Sequence, residues 1–180
     1  MRANPGNVPP PAAASPGSAP TLPHVVVLGG GFGGIATARA LARAPVRITL
    51  IDRKNHHLFQ PLLYQVATAG LAPGDIAASI RQIFRRQKNV TVAMAEIQGV
   101  DPIHRQVHLA VPERGDVFVG YDFLVVATGV GPSYFGHDEF APFAPCLKTI
   151  EDATAVRAAV LGAFERAELQ VSPADRTDLL

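Results

Sequence analysis

A run of glycines, Gly29-Gly30-Gly31-Phe32-Gly33-Gly34, set between a short β-branched segment and a stretch of helix formers, constrains this chain more than any other feature. Val25-Val26-Val27-Leu28 reads as a strand buried on both faces of a parallel sheet. Ile35 to Arg43 is rich in good helix formers and is stopped by Pro45. Val46 to Asp52 supplies a second apolar strand closed by an acid, completing a βαβ unit of about 30 residues with parallel pairing and a right-handed crossover. The GxGxxG frame falls on Gly29, Gly31 and Gly34, and a physical demand explains each glycine. Gly29 makes the tight turn, Gly31 lets backbone approach a pyrophosphate, and Gly34 permits close helix packing. Unpaired N–H groups and the positive end of the helix dipole then converge on one spot suited to an anion. Asp52 stands where a carboxylate accepts hydrogen bonds from the ribose hydroxyls of an adenosine. The pattern points to dinucleotide binding. A carboxylate there repels a 2′-phosphate and so disfavours NADP, while Arg53 and Lys54 read as solvated loop charges. This unit alone does not separate FAD from NAD.

The remaining sequence surrounds that unit with material for one α/β core. With 48% hydrophobic and 17% charged residues the chain can bury a core, and a net charge of +1 gives no electrostatic case for nucleic acid. A single cysteine, Cys146, excludes an intrachain disulfide and a dithiol relay. The most apolar stretch, Val25 to Ala42, is interrupted by Thr37 and Arg39 and does not suit a spanning helix. Residues 1–23, built from Pro, Ala, Gly and Ser, read as a disordered leader without the apolar stretch of a secretory signal, which with the lone cysteine suggests a cytoplasmic protein. Asn55 to Gly70 has no clear period and reads as a shaped loop. Ile76, Ile80, Ile83 and Phe84 form an apolar stripe that predicts a helix, with Pro73 and Asp75 in its first turn. Asn89 to Asp101, Arg105 to Val111 and Asp116 to Gly120 predict a small antiparallel meander, separated by turn chemistry at Asp101-Pro102 and Glu113-Arg114-Gly115. Tyr121 to Thr128 predicts another buried strand, ended by Gly129. Thr149-Ile150-Glu151-Asp152 looks like a capping box, starting a helix with Val156, Val160 and Phe164 on one face to about Leu169.

Four segments together, VVVLGGGFGGIATARAL, IDRKNHHLFQPLLYQVATAGLAPGDIA, YDFLVVATG and FGHDEFAPFAPCLKTIEDA, resemble the N-terminal part of a type II NADH dehydrogenase, over residues 24 to about 170. The glycine motif is shared by many enzymes, whereas NHHLFQPLLYQVATAG is specific to this family and its nearest relatives. The resemblance implies a membrane-associated flavoprotein, on the cytoplasmic face of the inner membrane, that moves a hydride from NADH to FAD and passes two electrons to a quinone. It assigns Gly29, Gly31 and Gly34 to the FAD pyrophosphate and Asp52 to the adenosine ribose, in agreement with the physical reading, and counts Gly30, Phe32 and Gly33 of the same turn as cofactor-binding. It also suggests Ile97 as a backbone contact to adenine and Thr128-Gly129 as a turn closing over the cofactor. Gln60, Pro61, Leu62 and Leu63 are the positions it sets beside the isoalloxazine, and Tyr64 and Gln65 are candidates to line a quinone approach, with core packing an equal reading for Tyr64. Cys146 stands where the family has glycine, and as a lone thiol it reads as structural.

The expected class is therefore α/β: a Rossmann-like FAD-binding βαβ unit with a parallel sheet, a small antiparallel meander, and an incomplete two-dinucleotide-binding fold. The expected organisation is a leader at 1–23, the N-terminal part of an FAD-binding domain at 24–148, and a helix and linker at 149–180. A second GxGxxG unit for NADH is not among these 180 residues, so the chain alone is not expected to complete NADH oxidation. Two other readings stay open: another FAD-dependent NADH reductase, serving a ferredoxin-like carrier, and a non-catalytic truncated remnant. No catalytic side chain is assigned. His56 and His57 are adjacent, so in extended chain they point opposite ways; with no carboxylate or thiolate at ligand spacing they read as structural or hydrogen-bonding groups rather than metal ligands. Asp138 and Glu139 are assigned nothing, and Arg81, Arg85 and Lys88 read as a wet helix face.

Overall fold

The computed structural model describes residues 22–170. Apart from Leu22 and Pro23, the expected leader lies outside the described residues, as does the expected linker after Gln170. The chain runs through β1 (His24–Leu28), α1 (Phe32–Ala40) and β2 (Arg47–Asp52), the βαβ unit read from the sequence. β3 (His56–Leu58), a 3-10 turn at Gln60–Leu62 and the short α2 (Leu63–Ala67) follow. Next come a 3-10 turn at Pro73–Ile76, β4 (Ala77–Ser79) and the one-turn α3 (Ile80–Ile83). Five strands then succeed one another: β5 (Val90–Met94), β6 (Glu96–Asp101), β7 (Gln106–Val111), β8 (Gly115–Gly120) and β9 (Phe123–Val126). The long α4 (Ile150–Glu168) closes the described chain. Among the described residues these elements form two compact units: 22–57 with Ser79–Gly129, and Leu58–Ala78 with 130–170.

The first unit is built on a parallel sheet of order β5-β2-β1-β9. Because side chains alternate across a strand, β1 and β2 divide their apolar residues between two faces. Val25, Val27, Ile48 and Leu50 pack with Ile35 and Ala38 of α1 and with Ile80 and Phe84. Val26, Leu28 and Ile51 pack on the opposite side with Ala95, Val107, Leu109 and Val119, contributed largely by the antiparallel sheet β6-β7-β8. Burial on both faces explains why these strands read as continuous apolar runs, and each fully buried Leu or Ile contributes about 1.5–3 kcal/mol. The loop after α1 is tied down by side-chain amides. Gln87 donates to the Ala38 carbonyl at 2.7 Å, one that the end of α1 leaves unpaired, and Asn89 donates to the Leu41 carbonyl at 3.0 Å and the Val46 carbonyl at 3.3 Å. At the start of β1, the buried His24 bridges the Gly120 carbonyl at 2.8 Å and the Thr49 hydroxyl at 2.7 Å. Its burial, together with the Arg47 charge, lowers the imidazole pKa.

The second unit has a thin core: Leu63, Val66 and Ala67 of α2 with Ile76 and Ala153, against which Leu58, Leu62, Leu71 and Val156 pack. The Phe59 N–H donates to the Ile76 carbonyl at 2.8 Å, closing the segment between them. α4 starts on the expected capping box: the Asp152 N–H donates to the Thr149 hydroxyl at 3.1 Å and the Thr149 N–H donates to the Asp152 carboxylate at 2.8 Å. Burial pushes the Asp152 pKa upward, but the N–H groups of Lys148 and Thr149 and the Thr149 hydroxyl outweigh it and leave the group below its usual value.

Five local expectations are corrected. The strand expected to be buried within Tyr121 to Thr128 forms as β9, but none of its residues is buried and Phe123 and Val126 are exposed, because β9 stands at the end of the described sheet. The apolar stripe from Ile76 to Phe84 is not one helix, since only Ile80–Ile83 is α-helical and Ala77–Ser79 is extended. Its residues divide, with Ile76 in the core of the second unit and Ile80 and Phe84 in that of the first. Asn55 to Gly70 is not a loop throughout but contains β3, a 3-10 turn and α2. The segment from Asn89 to Asp101 splits at Ala95: Val90–Met94 joins the parallel sheet beside β2, and only β6 belongs to the meander. On α4, Val160 and Phe164 are exposed, and the buried positions are Ala153 and Ala167. In each case a short apolar period was compatible with several burial partners, and long-range packing chose among them.

Candidate functional site

The register aligns Leu28 of β1 with Ile51 of β2 and with Val126 of β9, so three strands end at one level. The chain proceeds from β1 to β2 on one side and reaches β9 on the other, which places a topological switch point between β1 and β9, at the carboxyl ends where open α/β sheets bind ligands. The glycine turn leaves β1 there. The Gly29 N–H donates to the Ile51 carbonyl at 2.7 Å, and Gly29 has φ +104°, a left-handed conformation that favours glycine. A Cβ on Gly29 would lie 2.3 Å from the Ala127 carbonyl oxygen, and one on Gly34 would lie 1.8 Å from the Gly29 carbonyl oxygen. The turn and the helix therefore close on each other through backbone. A Cβ on Gly31 would meet nothing within 4 Å, so the space in front of the first turn of α1 is open.

Asp52 is pinned by two backbone donors. The Gly30 N–H donates to one carboxylate oxygen at 2.6 Å and the Lys54 N–H to the other at 2.7 Å. Each oxygen keeps a lone pair for a further donor, and the carboxylate stays half-exposed. His57 completes the turn: its Nδ1–H donates to the Gly30 carbonyl at 3.2 Å, and its ring meets Phe32 edge-on at 4.8 Å between centroids. The first unit thus brings together Gly29 to Gly34 and Asp52, with Thr128 exposed after β9 and Gly129 at φ +74°. Ile97 is half-buried on β6, opposite Leu109, beside a bulge in the β6–β7 register. In the second unit Gln60 and Pro61 are exposed, Leu62 is half-buried, and Leu63 is buried in the core rather than presented to solvent.

Sequence reasoning missed two contacts that shape this turn. The Ile80 side chain closes on Gly30, where a Cβ would lie 2.4 Å from Cδ1, and the Ala127 carbonyl bounds Gly29. Both come from segments remote in sequence, so no local signal could have revealed them. The nearest hint was the strand end at Ala127-Thr128-Gly129.

Sheet order, glycine turn and terminal carboxylate define an α/β protein with a Rossmann-like dinucleotide-binding fold. Residues 23–168 match the pyridine nucleotide-disulphide oxidoreductase family, and the chain belongs to it. The resemblance read from the motifs is borne out as well. The chain is 52% identical over 153 residues to the type II NADH:quinone oxidoreductase NdhA of Mycobacterium tuberculosis, a match covering 85% of this chain and 32% of the relative. It is 47% identical over 163 residues to Ndh of the same organism, covering 89% of this chain and 35% of that one. Among solved structures, NDH2 from Plasmodium falciparum, in complex with RYL-552, superposes with a TM-score of 0.74 at 24% identity, over 86% of this chain and 32% of that one; it shows the shared fold. The chain spans about a third of the length of these relatives. Family membership and these relatives imply a flavin cofactor. No helix among the described residues is long and apolar enough to cross a membrane.

Proposed function

We propose that the Gly29–Gly34 turn and Asp52 hold the ADP half of FAD, and that the chain is the flavin-binding portion of an NADH:quinone oxidoreductase. The observation that carries this reading is the pinned Asp52 carboxylate one strand away from a glycine turn with open space before Gly31. The residues present fit the group. N–H groups at the start of α1 and the helix dipole offset pyrophosphate charge, and the remaining lone pairs of Asp52 accept the two ribose hydroxyls. Thr128, Gly129 and the main chain of Ile97 are further proposed contacts. On the strength of the family resemblance, Gln60, Pro61, Leu62 and Leu63 are proposed beside the isoalloxazine. Bound flavin supplies an acceptor for the hydride of NADH and a donor of two electrons to a quinone. The names of the two mycobacterial relatives support NADH and quinone as the substrates of the whole protein. The same reading puts the protein in the cytoplasm, peripheral to the inner membrane where quinone resides.

The test is an absorbance spectrum of the purified chain after adding FAD and removing excess, then adding NADH anaerobically. The expected result is retained flavin that NADH leaves oxidised, because a site for one dinucleotide is accounted for by the residues above. Bleaching by NADH would place a nicotinamide site within residues 24–170 and overturn the view of this chain as the flavin portion alone. Failure to retain flavin would sink the assignment. Asp52→Ala is expected to weaken FAD binding by about tenfold or more, the loss of a charge-assisted hydrogen-bond pair.

A further inference from the structure

We infer that His57 is a positioning residue for the dinucleotide turn: it holds the Gly30 peptide in the orientation that leaves the following N–H groups facing an anion. The inference rests on the proposed FAD reading. Gly30 is clamped from both ends of its backbone. Its N–H donates to Asp52 at 2.6 Å, and its carbonyl accepts the His57 Nδ1–H at 3.2 Å. A peptide carbonyl carries partial negative charge, so a Gly30 carbonyl turned towards the ligand would repel a pyrophosphate. Bonded to His57, it is turned away.

The second contact fixes the donor itself. The His57 ring stands at 90° to Phe32, at 4.8 Å between centroids, the edge-to-face arrangement that aromatic pairs prefer. Phe32 is the first residue of α1, so His57 grips the turn at its carbonyl and at the helix start together. On the other side Ile80 crowds Gly30, and the Ile80 N–H is held by the Asn55 carbonyl at 3.0 Å, two residues before His57. The segment from Asn55 to His57 therefore supports the turn from two directions. Asp52 has two jobs, binding Gly30 and offering lone pairs to a ligand, whereas His57 acts only through the turn, at Gly30 and Phe32.

The test compares three variants of the full chain. His57→Asn keeps an N–H donor near the position of Nδ1, His57→Gln displaces it by a methylene, and His57→Phe keeps an aromatic edge against Phe32 but has no donor. Two readouts are taken: the FAD dissociation constant by flavin fluorescence, and hydrogen exchange at the Gly30 amide, which needs no ligand. We expect His57→Gln and His57→Phe to bind FAD about tenfold more weakly and to exchange the Gly30 amide about tenfold faster, with His57→Asn close to wild type in both, as one hydrogen bond to a buried carbonyl warrants. Equal affinity and equal exchange in all four proteins would overturn the role of His57. If wild type binds no FAD, the functional reading fails by itself, and the exchange rates still decide whether His57 holds the turn. If His57→Phe does not fold, the contrast between His57→Asn and His57→Gln carries the decision: rescue by Asn alone supports the inference, and equal loss in both overturns it.

Discussion

The two units bury their apolar residues in opposite ways. In the first, Val26, Val27, Ile48, Leu50 and Ile51 are wholly inaccessible, because α1 covers one face of the parallel sheet and the meander the other. In the second, a small cluster around α2 does the same work while α4, 19 residues long, leaves Val160, Leu161 and Phe164 exposed, and Phe135 and Phe143 are 92% and 88% accessible. Hydrophobic stabilisation follows apolar area removed from water, so it is concentrated in the unit that carries the glycine turn. A site that must hold backbone N–H groups in fixed directions sits on the rigid unit, and the thinly packed unit is where local opening costs least.

The sharpest way to break this contrast is Gly34→Val. Its Cβ would overlap the Gly29 carbonyl oxygen, so turn and helix must separate; we expect loss of FAD binding and a large drop in the thermal midpoint, measured by flavin fluorescence and circular dichroism. Leu50→Ala removes a fully buried side chain and is expected to cost about 2–5 kcal/mol in denaturant unfolding, with faster amide exchange through β1 and β2. His24 gives the first unit a pH dependence of known sign. Its folded pKa lies below the usual 6.5, so as pH falls through that value the unfolded chain takes up a proton before the folded one does. Stability is full above pH 6.5 and declines on acidification towards the folded pKa. His24→Gln should flatten this slope, and an unchanged slope in urea titrations between about pH 7.5 and about 5 would remove His24 as its source. In the second unit, Thr149→Ala is expected to cost about 1 kcal/mol by deleting the N-cap, read as faster exchange in the first turns of α4. The smallest effect is expected for Phe164→Ser, within about 0.5 kcal/mol, because the ring is already more than half exposed.

The elements of the first unit were legible where short-range spacing decides structure. Val25 to Leu28, the glycine run and the strand to Asp52 appear as β1, turn, α1 and β2, and the meander after Glu96 is antiparallel as its turn residues imply. The α4 cap was equally legible, since Thr149 and Asp152 lie three residues apart and need no other partner. The stretch from Ile76 to Phe84 was misread because its isoleucines serve two cores: Ile76 faces α2, and Ile80 packs with the parallel sheet. No helical period describes a segment whose ends are claimed by different neighbours.

For the site the division is similar. The identities Gly29, Gly31, Gly34 and Asp52 are written in the sequence because a turn that admits backbone to a phosphate needs them at that spacing. Only the folded chain shows that Asp52 is held by Gly30 and Lys54, that the Ala127 carbonyl forbids a side chain at Gly29, and that His57 reaches back to Gly30. All but the short Asp52–Lys54 bond join residues far apart in the chain, and their geometry exists only once parallel strands stand in register. Local chemistry chose the strand, the turn, the helix and the acid; burial on both faces of the sheet decided which distant groups would meet them, because that is where apolar area leaves water.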